Sequence, residues 1–368
     1  MMKERFVSFA LLAALCACCL SACRPAPDAN RSQGVSVTDA GGAQVNVADS
    51  SRVVSIGTAN TETIYALGAG SRVVGVDNSS GEYIPEVESL PKVGARTTLS
   101  AEGILSLKPT LVVVTSDAGP PQVFEQLRGG GVTVLVLPAG YNVEAVKGKV
   151  GTLARALGLE AKGEEIVGSI EREMDEVNRL LADARTKPKV LFVGRGPNMP
   201  NATMSGAGTT IDEMIRLAGC VNPMTDFQGF REMTDEAVVN AAPDVILMTE
   251  KSFERSGGVE GVLKFPGVAL TPAGKSRRVV AVSDMYFQGF GPGVGRAVRE
   301  LLLKLHPELD ATRNGASSPN TNTTTNANTT TNATTNSNSN SNSNANKNAN
   351  ANVNAGASPA GAGVGVER

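Results

Sequence analysis

Arg52-Val53-Val54-Ser55-Ile56-Gly57, followed by Thr61-Glu62-Thr63-Ile64-Tyr65-Ala66-Leu67-Gly68 and then Arg72-Val73-Val74-Gly75-Val76, is the stretch that decides the fold. The first apolar run is short, rich in β-branched residues and ended by glycine, so it reads as a buried strand. The middle segment reads as a helix closed by Gly68, because glycine most readily takes the left-handed conformation that ends a helix. The third run is a strand again. Continuous apolar strands separated by helices imply a parallel sheet covered on both faces.

The alternation continues outward. Residues 100–107 read as a helix with Ser100 as N-cap and Pro109 just beyond its end. Residues 111–114 and 132–137 read as strands, separated by a helical segment at 123–127 that stops at Gly129-Gly130-Gly131. A long helical stretch follows, broken at Gly158. Its second part, 160–184, carries Ile166, Ile170, Met174, Val177 and Leu181 at helical spacing, one apolar stripe on a charged helix. Lys187-Pro188 ends it before a strand at 190–193. Helices at 210–217, 234–241 and 294–305 and strands at 245–248 and 279–282 repeat the pattern. Upstream, 35–37 and 45–47 flank Gly41-Gly42 and read as a hairpin. The expected fold class is therefore α/β, with two lobes built on central, mainly parallel sheets. The lobes are 51–158 and 188–310, joined by a long helix at 159–187. Such lobes present their strand ends to a shared cleft, where a ligand is expected.

The termini read differently. Lys3-Glu4-Arg5, an apolar run over 6–20 and Leu20-Ser21-Ala22-Cys23 describe a secretory signal over 1–22. The apolar run falls short of the roughly 20 residues that a membrane-spanning helix needs. Leu-Ser-Ala-Cys resembles the bacterial lipobox, which makes Cys23 the expected lipidation site and the membrane anchor. An uncleaved anchor, or an ordinary secretory cut with an incidental cysteine, is the alternative. Residues 23–50 hold a tether and the hairpin. Residues 311–368 collapse to Asn, Thr, Ser, Ala and Gly and are expected to be disordered, being too poor in apolar surface to offset chain entropy.

Composition excludes several classes. Lys and Arg number 34 against 36 Asp and Glu, and no basic face is evident, so nucleic-acid binding is not expected. A single histidine, His306, rules out a site needing several imidazoles. Its place beside Pro307 reads as a helix end. Of the five cysteines, Cys16, Cys18 and Cys19 leave with the signal and Cys23 carries lipid, so Cys220 remains as a buried, inert thiol. An α/β hydrolase would need a Gly-x-Ser-x-Gly elbow, a phosphate loop with its lysine, or a partnered histidine, and none is present. A structural or adhesive surface lipoprotein, with the tail as its working part, is a further alternative.

Several motifs in order resemble one family. After the opening strand and helix come Leu90-Pro91-Lys92-Val93-Gly94, Leu99-Ser100-Ala101-Glu102-Gly103-Ile104-Leu105, Gly206-Ala207-Gly208-Thr209-Thr210 and Phe290-Gly291-Pro292. Together they resemble the class III periplasmic substrate-binding lipoproteins that serve ABC importers of haem, vitamin B12 and iron-siderophores. The wording around Gly119-Pro120-Pro121 and Gly289-Phe290-Gly291-Pro292 is most similar to the haem branch.

The resemblance implies a chain with no reaction and no intrinsic cofactor. Its cargo would be a small-molecule metal chelate such as haem, with a corrinoid or ferric siderophore as alternatives. Its partners would be an importer permease and its ATPase. Glu102 and Glu236 match the acidic residues that dock such carriers to permease arginines; read alone, both are first-turn helix glutamates favoured by the dipole. In the haem branch a tyrosine that ligates iron follows Val-Gly, and here Ala95 stands in that place. Tyr83, in Glu82-Tyr83-Ile84-Pro85, is the candidate replacement axial ligand, and Tyr286 is the candidate from the other lobe. Met199 and Met204 are candidate thioether contacts, and Arg96 is a candidate partner for a ligand carboxylate.

Overall fold

The computed structural model describes residues 34–196, 201–288 and 290–309. The signal segment, Cys23, the tether up to residue 33, Met199 and the Asn-rich tail lie outside the described residues.

Strands β1 (Val35–Thr38) and β2 (Gln44–Val47) form the hairpin, antiparallel throughout. The Asp39 carboxylate accepts from the Gly41 and Ala43 amides, and Gly42 takes the positive φ of 81° that the turn requires. Val37 and Val47 are buried in the core of the first lobe, and the Ala40 amide donates to the Val136 carbonyl at 2.8 Å. The hairpin is thus clipped onto that lobe.

The first lobe continues with β3 (Val53–Ser55), α1 (Thr58–Ala66), β4 (Val73–Val76), α2 (Asn78–Tyr83), α3 (Ala101–Ser106), β5 (Leu111–Thr115), α4 (Pro121–Gly129), β6 (Thr133–Leu137) and α5 (Val143–Leu157). Its sheet runs β4-β3-β5-β6, every pair parallel. Side chains alternate across it: Leu111 and Val113 enter one core, Val112 and Val114 the other. Both faces are covered, as the continuous apolar runs require. The Ser100 hydroxyl caps α3 by accepting from the Gly103 amide, and Gly158, at φ 68°, closes α5.

Helix α6 (Glu160–Ala182) leaves that lobe. Ile170 and Val177 on its apolar stripe are fully buried, with Ile166, Met174 and Leu181 packed beside them. Gly163 allows α6 to lie close against α5, since a Cβ there would stand 2.4 Å from that of Ala154.

The second lobe comprises β7 (Val190–Gly194), β8 (Thr203–Ser205), α7 (Thr210–Leu217), β9 (Phe230–Glu232), α8 (Asp235–Ala241), β10 (Val245–Thr249), α9 (Glu250–Arg255), α10 (Gly258–Val262), α11 (Pro272–Ser276), β11 (Val279–Val282), α12 (Met285–Gln288) and α13 (Val294–Leu305). Its sheet order is β11-β10-β7-β8-β9. The first three strands are parallel; β8 and β9 add an antiparallel edge. Again alternate residues divide between two cores, Val245 and Leu247 on one face and Ile246 and Met248 on the other.

His306 sits at the C-cap of α13, fully buried, with Nε2 3.0 Å from the Ala218 carbonyl and 3.4 Å from Cys220 Sγ. Burial pushes the Cys220 thiol up to about 12, which keeps it protonated and unreactive. The lobes share packing: Val146 and Val150 of α5 belong to the same apolar cluster as Phe290, Val294 and Val298. A lobe movement that opened the cleft widely would have to break this cluster.

Candidate functional site

The parallel strands of the first lobe all end at one side, and their trailing residues form the floor and wall of a cavity of about 370 Å³. Gly57 follows β3, Asp77 follows β4, Thr115 ends β5 with Asp117 beyond it, and Tyr141 lies beyond β6. This is the expected ligand position for an open α/β sheet, and the volume suits a small molecule. The second lobe faces it with Phe192 of β7, Thr210 and Ile211 of α7, Phe230 of β9, Thr249 of β10 and Phe290. Both lobes therefore contribute to one cleft.

The wall combines aromatic surface with charge. The Tyr141 ring meets that of Phe290 across the lobe boundary at 6.5 Å between centroids, tilted by 58°. Phe230 is 58% exposed and lines this space, an apolar ring open to a ligand. Arg96 pairs with the Asp117 carboxylate and donates to the Asp117 carbonyl at 3.1 Å. The Tyr141 hydroxyl donates to that same carboxylate at 3.4 Å. Burial, then the Asp117 charge, raise the Tyr141 phenol above its ordinary value, while Arg96 pulls it back.

Lys149 is buried in the same cavity, donating to the Phe290 carbonyl at 3.3 Å and to the Gly140 carbonyl at 3.5 Å. Burial lowers its pKa, and Asp117 and Glu62 oppose that. Among the described residues no group of three or more His, Cys, Asp or Glu side chains could hold a metal ion.

Of the candidate ligand residues singled out from the sequence that are among the described residues, Arg96 lines the cleft and Tyr83, Met204 and Tyr286 lie elsewhere. Tyr83 ends α2 and lines a neighbouring cavity with Tyr65, Glu86 and Arg172. There the Lys251 ammonium sits over its ring at 4.6 Å and pairs with Glu82 at 3.6 Å. Burial, reinforced by Glu82, pushes the Tyr83 phenol up to about 12, which disfavours the phenolate that an iron ligand needs. Tyr286 donates to the Glu300 carboxylate at 2.6 Å and lines a separate cavity with Met214 and Val294. Met204 is fully buried in a core of the second lobe, placed there by the inward-facing register of β8, and cannot reach a ligand. Met199 lies outside the described residues. Glu102 and Glu236 are exposed in the first turns of α3 and α8, away from the cleft lining.

Sequence reasoning missed Tyr141, Lys149, Phe230 and the floor residues Asn60, Asp77 and Thr115. A usable signal existed for three of them: Asp77, Thr115 and Tyr141 all stand at or just after the C-terminal ends of strands, where such folds keep their ligand groups.

Two α/β lobes, a shared cleft at their strand ends and a long connecting helix are the architecture of a solute-binding protein. The sequence profile of the periplasmic binding protein family matches residues 53–285, and the chain belongs to that family. It is similar to the periplasmic heme-binding protein RhuT from Roseiflexus sp. RS-1, solved in its apo form. The two are 38% identical with a TM-score of 0.65, over 71% of this chain and 100% of that one. It is 29% identical over 280 residues to the ABC transporter substrate-binding lipoprotein YvrC of Bacillus subtilis strain 168, covering 74% of this chain and 86% of YvrC. A vitamin B12-binding protein of Pectobacterium atrosepticum is 26% identical over 260 residues, covering 69% and 88%.

Proposed function

We propose that this chain is the solute-binding lipoprotein of an ABC importer, exported, anchored through lipid on Cys23, and carrying a haem-like metal chelate. The observation that carries the cargo assignment is the cleft itself. Exposed Phe230 of the second lobe and partly exposed Tyr141 of the first offer apolar ring surface from both lobes, and Arg96 offers a cation for a carboxylate edge. The likeness to a haem-binding protein over that protein's whole length supports the same reading. No reaction is assigned: binding, holding and release suffice.

In this reading a flat ring enters between the lobes, with its carboxylates toward Arg96. With Ala95 unable to ligate, Tyr141 is the tyrosine of the cleft lining whose hydroxyl stands within the cavity. Glu102 and Glu236, one on each lobe, are the docking charges for the permease, setting register and encounter rate. The lipid on Cys23 keeps loaded carrier close to the importer and raises its effective concentration there.

A corrinoid cargo is the second reading. Ala95 removes the tyrosine expected of the haem branch, and the similarity to a vitamin B12-binding protein favours it. The deciding experiment titrates the lipid-free chain with ferric haem and, separately, with cobalamin. A saturable Soret shift supports haem; tight cobalamin binding without one moves the assignment to corrinoids. If neither binds, the carrier reading fails.

A further inference from the structure

The floor of the cleft holds three buried oxygen atoms without a hydrogen-bond partner among the described residues: Asn60 Oδ1, Asp77 Oδ2 and Thr115 Oγ1. Asn60 and Asp77 are each 1% exposed and Thr115 is 9% exposed. All three surround Gly57. The Gly57 amide donates to Asp77 Oδ1 at 2.9 Å, and a Cβ on Gly57 would lie 3.5 Å from Asn60 Nδ2 and 3.9 Å from Thr115 Oγ1. At φ 105° this residue takes a conformation that side chains rarely adopt, so a substituent there is strained even where it finds room.

The rest of the cluster is committed, which fixes the direction of the orphaned atoms. Asp77 Oδ1 accepts from both the Gly57 amide and the Ser80 hydroxyl. The Asn60 amide nitrogen donates to the Ile56 carbonyl at 2.9 Å, which leaves its oxygen as the free end. A carboxylate oxygen and an amide oxygen can only accept, and a hydroxyl can do either. Leaving such groups desolvated is costly, so a floor built this way calls for a donor.

We propose that Asn60, Asp77 and Thr115 form a donor-reading subsite that takes an N–H group, a carboxamide above all, at the leading edge of the cargo. The proposal rests on the inter-lobe cleft being the ligand site, and not on haem being the ligand. Carboxylates meet the opposite environment: the Asp77 charge repels them from the floor, while Arg96 on the wall attracts them. The cleft therefore discriminates by edge chemistry, admitting amide-bearing rings to its floor and holding acid-bearing rings at its wall.

The test compares two probes, dicyanocobinamide with its carboxamides and ferric haem with its carboxylates, on the full lipid-free chain. The variant Asp77→Asn keeps the oxygen that faces Gly57 and Ser80 and replaces the free acceptor by a donor. It should weaken cobinamide roughly ten- to hundredfold, the range for a lost hydrogen bond to a buried charge, and tighten haem. Thr115→Val should weaken cobinamide in the same sense by a smaller factor. Unfolding curves for each variant separate loss of the floor from loss of fold. Cobinamide affinity unmoved by Asp77→Asn in a folded protein overturns the subsite, as does wild-type protein that binds haem but no amide-bearing ring. Failure of both probes on wild-type protein overturns the carrier reading instead.

Discussion

Lys149 of the first lobe donates to the carbonyl of Phe290 in the second, 3.3 Å away, with both residues buried. Phe290 also carries the ring that meets Tyr141, so one backbone position sets both the lobe contact and the apolar wall of the cleft. Lys149→Met should keep most of the packing volume and remove the tie. Ferric haem should then bind about tenfold more weakly, which is about 1.4 kcal/mol. Amide exchange around residues 290–294 should quicken. Unchanged affinity together with unchanged exchange would show that the tie does not organise the wall.

Glu62 makes a second contact between the lobes, its carboxylate accepting from the Gly293 amide at 3.2 Å. Burial raises its pKa above the ordinary 4.5, outweighing the Gly293 amide and the charges of Arg296 and Lys149. The folded state thus holds this proton more tightly than the unfolded chain. Its contribution to stability falls as pH rises from the unfolded value through the folded one, and the penalty is complete above that window. Glu62→Gln keeps an acceptor for Gly293 and removes the charge. Thermal melts should show the variant a few degrees more stable than wild type near neutral pH, with the two converging at about pH 4. A variant less stable at neutral pH would mean that the charge is worth more to Arg296 and Lys149 than its burial costs.

Much of the fold was legible because its signals are long. The strand at β5 is five consecutive buried residues, and the stripe on α6 repeats over about four turns of helix, so both survive without tertiary information. Strands β8 and β9 are three residues each, too short for any period to mark them in the sequence. Only the pairing of β8 turns Met204 into the core, and only the pairing of β9 brings Phe230 to the cleft. Lys149 was illegible for another reason: it lies on a helix whose surface is otherwise conventional, and only the approach of the Phe290 carbonyl gives it a role.

The burial of Met204 predicts its phenotype. Met204→Ala should cost about 2–5 kcal/mol in chemical denaturation, as for other truncations in a packed core. Haem affinity of the folded fraction should stay near wild type. A large affinity loss with little change in stability would return Met204 to the ligand site.

Tyr141 and Tyr83 separate by position. If ferric iron is bound through a phenol, Tyr141→Phe should abolish the tyrosinate charge-transfer absorbance and alter the Soret band. Tyr83→Ala should leave both in place, since its ring lies in the neighbouring cavity under Lys251. Because burial and Asp117 hold the Tyr141 proton on, the phenolate signature should strengthen as pH rises. A spectrum lost in Tyr83→Ala and kept in Tyr141→Phe would reverse the assignment.

Glu102 and Glu236 occupy matching places on the two lobes. Each stands exposed in the first turn of a helix capped by a hydroxyl, Ser100 on α3 and Thr234 on α8. Each is followed three residues later by an exposed apolar side chain, Leu105 at 36% and Val239 at 39%, beside a fully buried Ile104 or Val238. A dipole-favoured glutamate explains the charge in each case, but not the repeated apolar neighbour. A permease surface with two arginines and apolar collars would meet both patches at once. Glu102→Arg with Glu236→Arg should leave haem titrations unchanged and abolish stimulation of the importer's ATPase in proteoliposomes. Single reversals should slow association roughly tenfold at low salt and less at high salt, since screening weakens long-range attraction. Full stimulation by the double variant at low salt would remove these residues from the docking surface and leave the dipole as their whole explanation.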